Sequence, residues 1–274
     1  MSLELDLHPN DMAKQLTGRD YISFSAISAY RACPLRWHFR YVEGLPEALV
    51  SSSLIFGGAI HQAVELHYRE LLSGNPPPEL DMLLNEYQAA WQSRELTTIK
   101  FGKGENVDML RSLAQRMLTA FQCSPLSVPT GQIVGVKEEL RGSIAEACPD
   151  LLARVDLLIE ESDALVVTDL KTAKSRWSDR QAEESGEQLL LYSELAKELL
   201  PGKPLRLQFA VITKAKSPSV EMHTLQFDSA RIERTRLIVE RVWRAMRSGI
   251  VYPTPSPLNC STCPFQAPCR GWRR

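Results

Sequence analysis

Two strand-like segments, RVDLLIE at 154–160 and ALVVTDLKT at 164–172, flank a short polar turn and read as a β-hairpin. Period-two alternation puts Leu165, Val167, Asp169 and Lys171 on one face of the second strand, with Val166, Thr168 and Leu170 on the other. In the first strand, Arg154, Asp156 and Leu158 oppose Val155, Leu157 and Ile159. A two-residue turn at Ser162-Asp163 sets Asp156 opposite Asp169 and Arg154 opposite Lys171. Directly opposed side chains have Cβ atoms roughly 4.5–5.5 Å apart, and like charges there destabilise a sheet. Such a pair is tolerated if a cation sits between the carboxylates or one of them stays protonated. The other reading is an exposed face on which Lys171 and Arg154 screen the aspartates. The pairing depends on register, since a slip of one residue sends the two aspartates to different faces.

Two carboxylates with a nearby lysine suit a hard divalent ion such as Mg²⁺, which prefers oxygen ligands and keeps several waters. Such an ion can bind a phosphodiester oxygen and lower the pKa of a bound water. Lys171 lies about 6.6 Å along the strand from Asp169, within reach to orient that water or offset developing charge.

The chain has 274 residues, 44% hydrophobic and 24% charged, with a formal net charge of −1. That suits one large globular domain or two small ones. A nucleic-acid partner must then be met by a local basic surface, not by bulk charge. MSLELDLHPNDMAKQ shows no signal peptide, and no apolar run is long enough to span a bilayer. A soluble, cytoplasmic protein with no membrane partner is expected.

Residues 1–20 read as a loose leader, and 21–130 as a helical region. Within that region Ser25 is read as the N-cap of a helix through Ala29, and Pro34 restarts the helix with Cys33 at the break. Gly57-Gly58 reads as a turn before a helix that ends near Gly74. Two more helical segments are expected between Glu79 and Cys123. Residues 131–228 change period and form the sheet, with one inserted helix at SGEQLLLYSELAKELL. Residues 229–274 hold a long helix, with Ile232, Thr235, Val239, Val242 and Met246 as its core stripe, and a proline-rich cysteine tail. The order implies an α/β core sheet with a helical N-terminal addition.

Asp156 followed by DLKT (Asp169, Leu170, Lys171) resembles the core motif of PD-(D/E)XK nucleases. FGGAIHQAVE matches the glycine-then-histidine motif of the RecB-like branch, placing His61 on a helix. EQLLLY matches that branch's glutamine-x-x-x-tyrosine motif at Gln188 and Tyr192. YRACPLRWHF and CSTCPFQAPC together resemble its iron–sulfur version, as in the AddB C-terminal nuclease domain and CRISPR-associated RecB-like exonucleases. The likeness spans roughly residues 22–272.

The resemblance implies a restriction-endonuclease-like α/β fold, a mixed sheet flanked by helices, and metal-dependent hydrolysis of DNA with Mg²⁺ or Mn²⁺. It implies His61, Asp156 and Asp169 as metal ligands. Asp156, Asp169, Lys171, Gln188 and Tyr192 become the catalytic set. Gln188 and Tyr192 are neighbours on one helix face. Glu65, one turn beyond His61, and Glu138 or Glu139 in the preceding strand are further acidic candidates, and nothing in the sequence chooses among them. Lys174, Arg176, Trp177 and Arg180 combine phosphate-binding charge with a stacking surface, against the plainer reading of a solvated basic loop. The terminal RGWRR is similar in kind.

Cys260, Cys263 and Cys269 are spaced C-x2-C-x5-C, and the family pattern names Cys33 as the fourth ligand. Four thiolates can hold a [4Fe–4S] cluster or a tetrahedral zinc; spacing alone leaves both open, and the resemblance favours iron–sulfur. Either would tie the N-terminal helices to the tail across more than two hundred residues, coupling folding to metal loading. Cys123 and Cys148 read as ordinary thiols.

The expectation is therefore an exonuclease for single-stranded DNA or DNA ends. The branch resemblance leans towards 5′-to-3′ digestion. No Walker-type motif is present, so a separate helicase is a possible partner. The rival is a catalytically silent DNA-binding scaffold; a zinc-stabilised structural protein would leave the aspartates and Lys171 unexplained.

Overall fold

The computed structural model describes residues 7–93 and 98–272. In chain order the elements are α1 (Pro9–Thr17), β1 (Ile22–Ser23), α2 (Phe24–Ala32), α3 (Pro34–Trp37), β2 (Val50–Ser51) and α4 (Ser52–Leu72). Next come α5 (Leu80–Gln92), β3 (Ile99–Lys100), α6 (Val107–Gln122), β4 (Gln132–Gly142), β5 (Leu151–Glu160) and β6 (Leu165–Ala173). The chain ends with α7 (Asp179–Glu184), α8 (Glu187–Ala196), β7 (Leu205–Thr213), β8 (Val220–Leu225), α9 (Ser229–Arg247), α10 (Pro257–Cys260) and α11 (Gln266–Gly271).

Two compact units result, each discontinuous in sequence. One comprises Met1–Leu49, Leu140–Ala153 and Ser229–Arg274; the other comprises Val50–Glu139 and Arg154–Asp228. The second holds the hairpin. Its strands run in the order β5-β6-β7-β8, antiparallel, parallel, antiparallel, and β4 also pairs with β5. The parallel β6–β7 pair needs a crossover, which α7 and α8 supply. The expected mixed α/β sheet flanked by helices is what forms.

Side chains from both faces of the sheet's strands are buried, and one face meets α4, α5 and α6. Leu157, Ile159, Val166, Leu170, Ala210 and Ile212 pack there with Phe56, Ile60, Val64 and Leu118. The helices start where short polar residues cap them. Ser51 Oγ accepts from Leu54 N at 3.3 Å, and Asn106 Oδ1 accepts from Met109 N at 2.9 Å, each satisfying an otherwise orphaned amide.

Gly57-Gly58 is not a turn: α4 runs through it. A Cβ on Gly57 would stand 3.1 Å from Thr172 Oγ1, so glycine there lets the helix lie close against β6. Two short strands, β2 and β3, pair in parallel and were not expected; at two residues each they carry no readable alternation. In β7, Leu207, Phe209, Ala210, Val211 and Ile212 are all buried, as a strand covered on both faces requires.

His67 lies deep in α4, 1% exposed. Its Nε2 donates to Ser127 O at 2.7 Å, and its ring meets Phe121 edge-on at 4.9 Å. Burial lowers its pKa, only partly opposed by that hydrogen bond. A depressed folded-state pKa means the unfolded chain takes the proton first, so stability falls as pH drops below about 6.5 towards the folded value. Replacing His67 with glutamine is expected to flatten the pH dependence of Tm between pH 7 and 5, measured by thermal unfolding. An unchanged slope would assign that acid sensitivity to other groups.

In the first unit, α1 forms within the segment read as a loose leader; residues 1–6 of that segment, and Arg273 and Arg274 of the terminal basic motif, lie outside the described residues. Ser23, not Ser25, caps α2: its Oγ accepts from Ala26 N at 3.3 Å and the helix runs on to Ala32. Ser25 instead shares a 2.9 Å hydrogen bond with Ser23 Oγ. Cys33 sits at the expected break, extended at φ −165°, before Pro34 restarts the chain as α3. The buried stripe of α9 is Ile232, Thr235, Val239, Trp243 and Met246. Trp243 replaces the expected Val242, because a step of four from Val239 keeps the larger side chain on the core face. β1 pairs in parallel with the first residues of β5, Ile22 with Leu151 and Ser23 with Leu152.

Candidate active site

The hairpin adopts the register that a two-residue turn dictates. Leu157 pairs with Thr168, Leu158 with Val167, Ile159 with Val166 and Glu160 with Leu165, and Glu161 N closes the turn on Ala164 O at 2.9 Å. Asp156 and Asp169 are the next positions along. They are held differently: Asp169 is buried and Asp156 partly so. Asp156 Oδ2 accepts from Leu170 N at 2.8 Å, which fastens this carboxylate to the backbone of β6. His61 Nδ1 is 3.8 Å from the same oxygen, and Lys137 Nζ pairs with Oδ1.

Asp169 is 5% exposed. Lys171 Nζ stands 2.7 Å from its Oδ2 but outside hydrogen-bonding angles, leaving that oxygen without a hydrogen-bond donor. Lys171 Nζ also donates to Gln188 Oε1 at 3.2 Å, and Gln188 Nε2 donates to Tyr192 Oη at 3.0 Å. The chain Asp169–Lys171–Gln188–Tyr192 is thus continuous. Leu189, Leu190 and Leu191, all at or below 1% exposure, hold α8 in place, each contributing roughly 1.5–3 kcal/mol of burial.

The two aspartates respond in opposite directions. Burial by itself pushes Asp156 up, but His61 and Lys137 outweigh it and its carboxyl falls well below the usual range. For Asp169, burial dominates; Lys171 opposes it, Asp156 adds to it, and the net shift is upward. Two close carboxyls whose pKa values separate in this way behave as a coupled acidic pair. Burial likewise raises the Tyr192 phenol.

An open cleft of about 910 Å³ adjoins this group. His61, Glu65, Lys137, Glu139, Arg154, Lys171 and Lys214 contribute to its walls. Among the acidic candidates, Glu65 pairs with Arg69 at 2.7 Å and Glu139 with Arg154 at 2.7 Å, while Glu138 is exposed. The side chain β4 delivers to Asp156 is Lys137, which strand alternation did not suggest. Its φ is +56°, in the left-handed region that a non-glycine residue rarely occupies inside a strand, and this interrupts the alternation. No sequence signal marks such a position.

The loop after β6 is largely engaged with its own surroundings. Arg176 pairs with Glu221, and Trp177 N donates to the same carboxylate at 3.3 Å. The Trp177 ring packs edge-on against Phe209 at 5.2 Å, and Arg180 pairs with Glu184 at 2.8 Å. Lys174 is exposed.

The four cysteines singled out by spacing come together in the first unit. Cys33, Cys260, Cys263 and Cys269 line one cavity of about 50 Å³ with Leu35, Phe39 and Phe265. Burial raises the Cys269 thiol, and Cys33, Cys263 and Cys260 raise it further. Thr254 N approaches Cys33 Sγ at 3.5 Å. Cys123 is exposed and Cys148 buried, and both are free thiols.

Among the described residues no three His, Cys, Asp or Glu side chains are drawn tightly enough to form a ready metal site. The donors nonetheless fit the expected groups. The buried Asp169 Oδ2 has a lone pair without a donor, beside a second carboxylate and an imidazole, which is a hard-ion set. The cysteine cavity offers four soft donors and no disulfide.

A mixed sheet carrying an aspartate and an aspartate-x-lysine on adjacent strands defines the restriction-endonuclease-like class of α/β proteins. The sequence pattern of the PD-(D/E)XK nuclease superfamily matches residues 21–270, and the chain belongs to that superfamily. Membership makes the protein a nuclease, with DNA as the implied substrate, in a group that typically uses divalent metals. A crystal structure of a "Putative exonuclease" from Eubacterium rectale is 13% identical and covers 100% of this chain and 94% of that chain, with a TM-score of 0.58; the likeness is one of fold. The structure of SSO0001 is 11% identical, covers 91% of this chain and 96% of that chain, and has a TM-score of 0.38. No curated protein matches. No helix among the described residues is long and apolar enough to cross a membrane.

Proposed function

We propose that this protein is an exonuclease that hydrolyses single-stranded DNA or DNA ends with Mg²⁺ or Mn²⁺. The supporting observation is the unbroken sequence of contacts from Asp169 through Lys171 and Gln188 to Tyr192, with Lys171 lining an open cleft. His61, Asp156 and Asp169 would hold the divalent ion. Bound there, the ion would supply Lewis acidity and a water of lowered pKa. Lys171 contributes a fixed positive charge where the phosphate gains negative charge. Gln188 aims that ammonium, and Tyr192 fixes Gln188. Lys174 contacts the strand beyond the site; Arg176, Trp177 and Arg180 join it by exchanging their present partners for phosphate.

Cys33, Cys260, Cys263 and Cys269 form the site of a structural [4Fe–4S] cluster in this reading, with zinc as the alternative. The cysteine spacing supports a reading within the iron–sulfur RecB-like branch, and that likeness favours 5′-to-3′ digestion. The reading includes a cytoplasmic role in repair, recombination or CRISPR-type processing, with a separate helicase as a candidate partner.

The test is digestion of 5′- and 3′-labelled single strands by protein prepared without oxygen. EDTA-sensitive cleavage that releases the 5′ label first is expected. Binding without cleavage by the intact protein would make it a DNA-binding scaffold instead.

A further inference from the structure

Lys214 immediately follows β7, where its amide donates to Ala173 O at 2.6 Å. Its ammonium lies over the Phe56 ring, 5.1 Å from the centroid, and donates to Ser53 Oγ at 3.0 Å and Ser53 O at 3.3 Å. It lines the same cleft as Lys171 and Thr172. The other cations of that cleft are matched: Lys137 with Asp156, Lys171 with Asp169, Arg69 with Glu65 and Arg154 with Glu139. Among the described residues no carboxylate stands within ion-pair distance of Lys214.

Burial lowers the Lys214 pKa, Glu105 raises it, and Lys174 lowers it again. Glu105 is already committed, accepting from Ser52 Oγ at 2.7 Å and Gly102 N at 2.8 Å. Lys174 and Lys214 thus both feel the Glu105 carboxylate, but neither is shown pairing with it. A partly desolvated ammonium in this position gains strongly from an incoming anion, because much of its own water is already gone. Asp169 to Ala173, whose carbonyl the Lys214 amide meets, is four residues, about 13 Å of strand, so Lys214 joins the cleft some way along from the aspartates.

We propose that Lys214, with Lys174 and Ser53 beside it, seats a backbone phosphate of the bound DNA strand, one further along than the phosphate that is cut. This rests on the nuclease reading and adds a binding subsite to it. The seat reads the backbone and not the base, so it fixes the path of the strand without selecting sequence.

The experiment is single-strand binding in EDTA, followed by fluorescence anisotropy over a range of salt. Lys214→Met keeps the length of the stem over Phe56 and removes the charge. The slope of log K against log salt is expected to shrink by about 0.7, with binding about fivefold weaker at 0.1 M salt; Lys214→Arg should restore both. Lys174→Met, an exposed change that does not burden folding, should move the slope in the same direction by a smaller amount. Slopes equal to wild type in both methionine variants would overturn the proposal. Failure of the nuclease reading looks different: wild type would then bind DNA with an intact salt slope and cut nothing when Mg²⁺ or Mn²⁺ is added.

Discussion

Lys171→Met is expected to slow metal-dependent DNA cleavage by about 10²–10³-fold, while affinity for a single strand in EDTA changes only slightly. The rate falls for two reasons. The variant loses the positive charge that the proposed function sets beside the reacting phosphate. It also strips Asp169 Oδ2 of its 2.7 Å ion-pair partner. Burial already raises the Asp169 pKa, and Lys171 is the main force opposing it. Without that force the Asp169 pKa rises further, and under the proposed reading the carboxyl becomes a poorer ligand. Mn²⁺ binding followed by electron paramagnetic resonance should therefore weaken alongside the rate. Lys171→Arg should not rescue, because a planar guanidinium cannot keep the contact with Gln188 Oε1 in the same geometry. A methionine variant that cuts within threefold of wild type would remove Lys171 from the chemistry.

The second large effect belongs to Cys33→Ala. If the four cysteines hold one cluster, this change opens a covalent loop of more than two hundred residues between the helix break and the tail. Closing such a loop is worth about 5 kcal/mol in a chain-entropy account, which corresponds to a fall in Tm of about 10–20 °C for a chain of this size. The brown colour should disappear and metal analysis should find iron lost together with stability. Cys123→Ala, at an exposed thiol, should change neither. An intact visible spectrum in Cys33→Ala would exclude that residue as a ligand. Zinc in the wild-type protein would keep the loop argument and replace the cluster.

Much of the site was legible because it rests on periods the sequence displays. The hairpin register follows from turn length, so placing Asp156 beside Asp169 needed only the two residues Ser162-Asp163. Gln188 and Tyr192 meet because i and i+4 meet on any helix. What was not legible depends on tertiary fit. Lys137 reaches Asp156 through a left-handed backbone angle that no residue type announces there. Lys214 matters because of what it lacks, and an absent carboxylate partner is a property of the assembled unit. Gly57 looked like a turn residue because glycine favours turns; only the 3.1 Å approach of Thr172 shows why it belongs inside a helix. Trp243 and Val242 are one residue apart, and the choice between them turns on the accumulated phase of a 3.6-residue period.

The ammonium groups of Lys137 and Lys171 give the acidic pair a built-in neutraliser. Each carboxylate faces a cation from its own chain, which offsets part of the repulsion between the aspartates before any ion arrives. Under the proposed metal reading, a divalent ion would enter a site whose carboxylates already carry lysine counter-ions. The cysteines have no such internal substitute. Of the protein's two proposed inorganic sites, the acidic one would then tolerate being emptied in the finished fold, and the cysteine one would be tied to folding itself.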